Sequence, residues 1–154
     1  MHKDKIFYLT RQGLKKTKQD YKQLKELRKI KSNGEAPAAF FSEELSAEFV
    51  SFRDDLDLLD AKLEELEYVL KSYEIIKFPK EKDKIALGAT IAVDVNGHKD
   101  KIMLVGTLEA NPSLGKVSDE SPVGRAILGL KQGDTAVVNS SNRMVYKIKK
   151  VSYI

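Results

Sequence analysis

The run from Leu45 to Tyr73 constrains this chain more than any other stretch. Its apolar side chains fall on Leu45, Phe49, Phe52, Leu56, Leu59, Leu63, Leu66, Leu70 and Tyr73, stepping by four and three residues in strict alternation. That spacing is a heptad seam about four heptads long, and it fits one narrow face of a helix. At 1.5 Å per residue such a helix is roughly 40 Å long. A seam on so long a rod needs a second rod to cover it. The remaining faces are acidic, with Asp54, Asp55, Asp57, Asp60, Glu64, Glu65 and Glu67.

The partner rod stands upstream. Thr10 is a candidate N-cap, and from there to about Lys31 the residues Leu14, Tyr21, Leu24, Leu27 and Ile30 keep helical spacing. Nine basic side chains decorate this helix between Arg11 and Lys31, opposed only by Asp20 and Glu26. A basic helix raises the question of nucleic acid or a membrane surface. The bland reading is stronger, because the next helix is acidic and flanking charges set the pairing of two helices. The expectation is an antiparallel helical hairpin over residues 1–76, with its tip at about 33–48.

At the tip, Ser32-Asn33-Gly34 ends the first helix and Pro37 forbids its simple continuation. Ser42 and Ser46 are the candidate caps of the second helix. Glu43, Glu44 and Glu48 have an ordinary explanation as acids near a helix N-terminus. Together with Glu35 they also form an acidic end on a thin rod. Mg²⁺ prefers one or two carboxylates plus waters and phosphate oxygens, so such acids could complete a metal site belonging to another molecule. Phe40 and Phe41 have little core to join there. They either fold back on the seam or meet a partner.

Residues 77–84, with Pro79 and four lysines, read as a linker. After them the periodicity changes. Thr90 to Val95 alternates, Asn96-Gly97 is a strong hairpin signal, and Ile102 to Leu108 reads as the returning strand. Ser121-Pro122 opens a short helix closed by Gly129. Thr135 to Val138 and Val145 to Ile154 are further strands. Residues 85–154 thus read as a small antiparallel sheet with one short helix, and the chain as α+β.

Composition narrows the chemistry. The chain has 154 residues, 42% hydrophobic and 32% charged, a net charge of +4 and no cysteine. Disulfides, thiolate metal sites and cysteine nucleophiles are excluded. No apolar run reaches the length of a membrane span, and residues 1–7 lack a signal-peptide core. His2 and His98 read as surface residues. No nucleophile motif or phosphate loop is present, and no self-contained active site is expected.

Several blocks carry a resemblance. They are Tyr8-Leu9-Thr10-Arg11-Gln12-Gly13-Leu14, Gly106-Thr107-Leu108-Glu109-Ala110-Asn111-Pro112, Val117 through Gly129, Lys131-Gln132-Gly133-Asp134, and the final strand from Lys147. In this order they resemble the bacterial Gre-type (GreA/GreB) transcript cleavage and elongation factors. The resemblance implies a coiled-coil hairpin followed by an FKBP-like domain without prolyl isomerase activity. It implies a cytoplasmic, monomeric, DNA-binding accessory protein of transcription, touching no membrane and holding no metal or cofactor of its own. Its partner would be bacterial RNA polymerase, with the globular domain at the rim of the secondary channel and the coiled coil inside it. The tip acids would then assist Mg²⁺ at the polymerase active centre in cutting backtracked RNA, meeting the nascent 3′ end indirectly. Glu120, Ser121 and Pro122 match the loop that meets the channel rim.

The tip departs from the family pattern Gly-Asp-Leu-x-Glu-Asn-Ala-Glu-Tyr. Ser46-Ala47-Glu48-Phe49 matches its end, while the leading Asp and Glu fall on Ser42 and Leu45. The second helix is also about one heptad shorter than usual. The expected metal-directed acids are Glu44 and Glu48, with Glu43 as substitute, and Phe40 and Phe41 are candidate contacts to polymerase or RNA. Two functions stay open: a working cleavage factor, or a channel-binding regulator of the same build that does not stimulate cleavage. A coiled-coil adaptor with another client is the third, blander reading.

Overall fold

Two long helices form where the apolar spacing calls for them: α1, Arg11–Asn33, and α2, Ala47–Lys71. The computed structural model describes residues 5–41 and 44–154. Each helix begins at a hydroxyl cap, where Thr10 Oγ1 accepts from Gly13 N at 2.9 Å and Ser46 Oγ accepts from Phe49 N at 3.1 Å. Ser46 is therefore the cap of α2; Ser42, the other candidate, lies outside the described residues.

Three side-chain pairs between α1 and α2 establish that they run antiparallel. Tyr21 donates to Glu67 at 2.6 Å, Arg28 grips Asp60 with two bonds at 2.8 and 3.1 Å, and Lys31 pairs with Asp55. As the α1 number rises, its partner's number falls. On α2, Phe49, Phe52, Leu56, Leu59, Leu63, Leu66 and Leu70 are all half-buried, so the heptad seam is the packed face. Three expectations are corrected. Tyr73, the last expected seam position, lies beyond α2 in a three-residue strand, Tyr73–Ile75. Leu45 stands before the cap, in a short strand, and is exposed rather than part of the helical seam. On α1 the seam runs through Leu14, Thr17, Tyr21, Leu24, Arg28 and Lys31, whereas Leu27 and Ile30 are 50% and 62% exposed. Arg28 and Lys31 lay their aliphatic stems on the seam while their charged heads reach Asp60 and Asp55.

The second half forms a five-stranded sheet in the order β7-β6-β5-β9-β8. The strands are β5 (Thr90–Val95), β6 (His98–Val105), β7 (Lys116–Ser118), β8 (Thr135–Asn139) and β9 (Arg143–Ser152). Asn96 at φ 50° and Gly97 at φ 90° make the expected tight turn between β5 and β6. The sheet is antiparallel except for β6 and β7, which pair parallel. No apolar alternation announced three-residue β7, because pairing on a sheet edge defines it. One face packs Ile91, Val93, Ile102, Leu104, Ala136 and Ile148 against Ile127 of the short helix α3, Pro122–Ile127. In β9 the register shifts opposite Ala92/Val93. Lys149 is the extra residue, which lets Ile148 and Val151 both face this core.

The units divide at other points than the sequence suggested. Leu14–Ser72 is one unit, and the described part of Met1–Gly13 joins Tyr73–Ile154 in the other. The reason is a pair of parallel strands, β1 (Phe7–Leu9) and β4 (Tyr73–Ile75), continued by Ile76 N donating to Leu9 O at 2.9 Å. β1 runs so close over Gly106 that a Cβ there would stand 2.2 Å from the Tyr8 carbonyl oxygen. Residues 77–84, expected as a linker, dock on the same unit. Phe78 meets the Tyr153 ring at 5.5 Å, Asp83 pairs with Lys131 at 2.9 Å, and the Tyr153 hydroxyl donates to Lys84 O while accepting from Ala86 N.

Candidate functional site

The chain between the two helices folds into a miniature β-hairpin. β2 (Phe40–Phe41) pairs antiparallel with β3 (Glu44–Leu45), setting Phe40 opposite Leu45 and Phe41 opposite Glu44. Ser46 N extends the ladder by donating to Ala39 O at 2.8 Å, and the Ser46 hydroxyl then starts α2. Ser46 therefore ends the strand ladder and begins the helix. Glu44 precedes it in the strand and Glu48 follows it in the first helical turn.

Both acids are exposed, and among the described residues neither is in a salt bridge. Glu43 lies outside the described residues. Phe40 is 64% exposed and Leu45, its cross-strand partner, 45% exposed. Of the two fates open to Phe40, folding back on the seam is thus not the one taken. Opposite residues of an antiparallel pair share a face, so Phe40 and Leu45 form a small apolar surface and Glu44 stands on the other side. Below the tip two charged pairs, Arg28–Asp60 and Lys31–Asp55, cross between the helices. Arg28 beside Asp60 holds that carboxyl below the ordinary range, and the Glu67 carboxylate accepting from Tyr21 raises the phenol.

The loop Asp119-Glu120-Ser121-Pro122 is built around Ser118. The Ser121 hydroxyl accepts from Gly124 N at 3.0 Å and donates to Ser118 O at 2.6 Å. Ser118 Oγ accepts from Glu120 N at 3.1 Å, and Glu120 accepts from Thr107 Oγ1 at 3.0 Å. A Cβ on Gly124 would stand 1.9 Å from the Ser118 carbonyl oxygen. Ser121 therefore spends its hydroxyl on the helix cap, while Glu120 and Pro122 remain on the surface.

One residue escaped the sequence reading of sites. Glu109 reaches the start of α1, where Thr10 N and Thr10 Oγ1 each donate to its carboxylate at 2.6 Å. In a capping box the acid three residues into the helix bonds back to the cap N–H. Here that position is Gly13, and the carboxyl carbon of Glu109 occupies the space a Cβ would need, 2.2 Å from it. α1 has no acid in its first turn, so Glu109 supplies the negative charge that a helix N-terminus favours. The legible signal was a threonine cap followed three residues later by glycine instead of glutamate.

Residues 80–153 match the family described as "Transcription elongation factor, GreA/GreB, C-term". The chain is 30% identical over 138 residues to the transcription elongation factor GreA of Thermomicrobium roseum, covering 87% of this chain and 88% of that protein. It is 31% identical over 154 residues to GreA of Lactococcus lactis subsp. cremoris, covering 96% and 99%. A solved GreA/GreB structure from Nitrosomonas europaea shares 21% identity, with 97% of this chain and 99% of that chain covered and a TM-score of 0.43. With relatives 30% and 31% identical over nearly the whole chain, the chain belongs to the GreA/GreB family of transcription elongation factors.

Proposed function

We propose that this chain is an accessory factor of bacterial RNA polymerase that stimulates the polymerase's own cleavage of backtracked RNA. The hairpin enters the secondary channel and presents Glu44 and Glu48 at the active centre, while Glu120 and Pro122 meet the channel rim. The observation that carries this reading is the tip itself, where two exposed carboxylates flank the Ser46 cap at the closed end of the helical hairpin. The family's elongation role supplies the setting.

Among the described residues no three acidic or histidine side chains cluster closely enough to hold a metal ion. One or two carboxylates are what Mg²⁺ takes from a protein when waters and phosphate oxygens fill the other positions, and Glu44 and Glu48 offer that number. Bound at the polymerase, the metal would stabilise charge on the attacking and leaving oxygens. Glu44 and Glu48 would orient its waters as hydrogen-bond acceptors, and the Ser46 cap would hold the backbone between them in one geometry.

A second reading rests on Phe40 and Leu45, whose exposed pair differs in kind from an acidic tip. In that reading the tip occupies the channel through apolar contact and does not stimulate cleavage. A backtracked elongation complex supplied with Mg²⁺ separates the two. Release of short 3′ RNA fragments by the native chain, lost in Glu44→Ala/Glu48→Ala, supports the first. Slowed nucleotide addition without cleavage, relieved by Phe40→Ser, supports the second and refutes the first.

A further inference from the structure

We infer that Thr107 is the positioning residue of the polymerase-docking loop, its hydroxyl setting the place of the Glu120 carboxylate. The inference rests on the rim contact proposed above for Glu120 and says how the chain prepares that contact. Thr107 Oγ1 donates to Glu120 Oε2 at 3.0 Å, from 13 residues upstream. A carboxylate only accepts, so the single hydroxyl proton of Thr107 is committed to it. The Thr107 and Ser118 hydroxyl oxygens lie 3.2 Å apart, and with the Thr107 proton engaged Ser118 is the donor between them. Ser118 Oγ in turn accepts from Glu120 N at 3.1 Å. The bonds therefore close a ring, from the Glu120 main chain through two hydroxyls to the Glu120 side chain. Each hydroxyl accepts once and donates once in the same sense round the ring, so neighbouring bonds polarise one another.

The two hydroxyls are held firmly from outside the ring. Thr107 opens a 3₁₀ turn, Thr107–Glu109, in which Glu109 N donates to Gly106 O at 3.1 Å. Gly106 lies against the Tyr8 carbonyl, and Glu109 accepts from Thr10 N and Oγ1, so both ends of that turn are pinned. Ser118 is buried, its carbonyl accepts from the Ser121 hydroxyl, and Asp119 N donates to Val105 O at 3.0 Å. Thr107 and Glu120 are themselves exposed. Water could satisfy both of them, so the bond between them is not forced by burial; what it does is fix the carboxylate. An unrestrained glutamate must be immobilised when a partner binds, which weakens affinity by about two- to tenfold. Here the immobilisation precedes the encounter. A carboxylate offers about four acceptor sites, so one bond from Thr107 leaves acceptors for a donor on the partner.

The test is the affinity of the fluorophore-labelled full chain for bacterial RNA polymerase, read by anisotropy. The variants are Thr107→Val, which removes the hydroxyl at nearly constant shape, Thr107→Ser, which keeps it, Glu120→Ala, and Thr107→Val/Glu120→Ala. Glu120→Ala should weaken binding by about tenfold or more, and Thr107→Val by about two- to tenfold. Thr107→Ser should bind like the native chain. The double variant should bind like Glu120→Ala alone, because Thr107 acts through that carboxylate, whereas a merely structural threonine would add its own loss. Native affinity in Thr107→Val, a Thr107→Ser chain as weak as Thr107→Val, or additive losses in the double variant would each overturn the inference and leave the rim contact standing. Native affinity in Glu120→Ala, or no binding of polymerase by the native chain, would overturn the rim contact and this inference with it.

Discussion

Glu109 and Gly13 form a coupled pair whose coupling reverses the sign of a single substitution. Glu109→Ala removes two charge-assisted hydrogen bonds and the negative charge at the start of α1. Each such bond contributes about 1.5–3 kcal/mol in a dry site and less where water can replace it; Glu109 is half-buried, so the loss is about 2 kcal/mol with the dipole contribution included. Gly13→Ala in the native background drives a methyl group into that carboxyl, at 2.2 Å. The carboxyl must withdraw and the same bonds are lost. Alanine recovers about 1 kcal/mol of helix propensity over glycine, so the net cost is about 1 kcal/mol. With Glu109 already replaced by alanine the obstacle is gone, and Gly13→Ala should stabilise by about 1 kcal/mol. Urea unfolding of the four proteins, followed by circular dichroism, completes the cycle, with an expected coupling of about 2 kcal/mol. If Gly13→Ala stabilises the native chain as much as it stabilises the Glu109→Ala chain, the reasoning fails.

Gly124→Ala should be more damaging than Gly13→Ala, because its methyl group meets a backbone carbonyl at 1.9 Å instead of a movable carboxylate. A loss of about 3 kcal/mol or more in urea unfolding is expected, and a second substitution at Ser118 should not rescue it, since the obstructing oxygen is main-chain. The Arg28–Asp60 pair predicts a pH dependence of the helical hairpin. The folded-state pKa of Asp60 is lowered, so its contribution is present above the unfolded value and disappears as pH falls through the folded one. Asp60→Asn should therefore reduce the melting temperature at neutral pH by a small amount, since the pair is exposed, and leave it unchanged at about pH 2. A deficit that persists in acid would assign Asp60 another role.

Much of the fold was legible because two signals are local. The heptad spacing of α2 specifies a long helix whatever surrounds it, and Asn96-Gly97 supplies positive φ at two successive positions of a turn. The Thr10 and Ser121 caps could be read for the same reason. Each satisfies helix N–H groups within three residues. The acids Glu44 and Glu48 were legible as candidates, but their surroundings were not. The two-residue strands β2 and β3 are too short to show alternation, and pairing across the turn is what separates exposed Leu45 from the helical seam.

The amino-acid sequence by itself determined the two helices, the strands of the sheet other than β7 and membership of a family, because spacing, caps and turns act over a few neighbouring residues. Only the tertiary structure decided which α1 residues cover the seam. Arg28 and Lys31 displace Leu27 and Ile30 because Asp60 and Asp55 stand across from them. It also decided that Phe7–Leu9 and Tyr73–Ile75 belong with the sheet unit and that Glu109 completes a cap 99 residues away. These are meetings of segments far apart in the chain. No local pattern specifies them, because the partner that makes each arrangement favourable arrives only when the chain has folded.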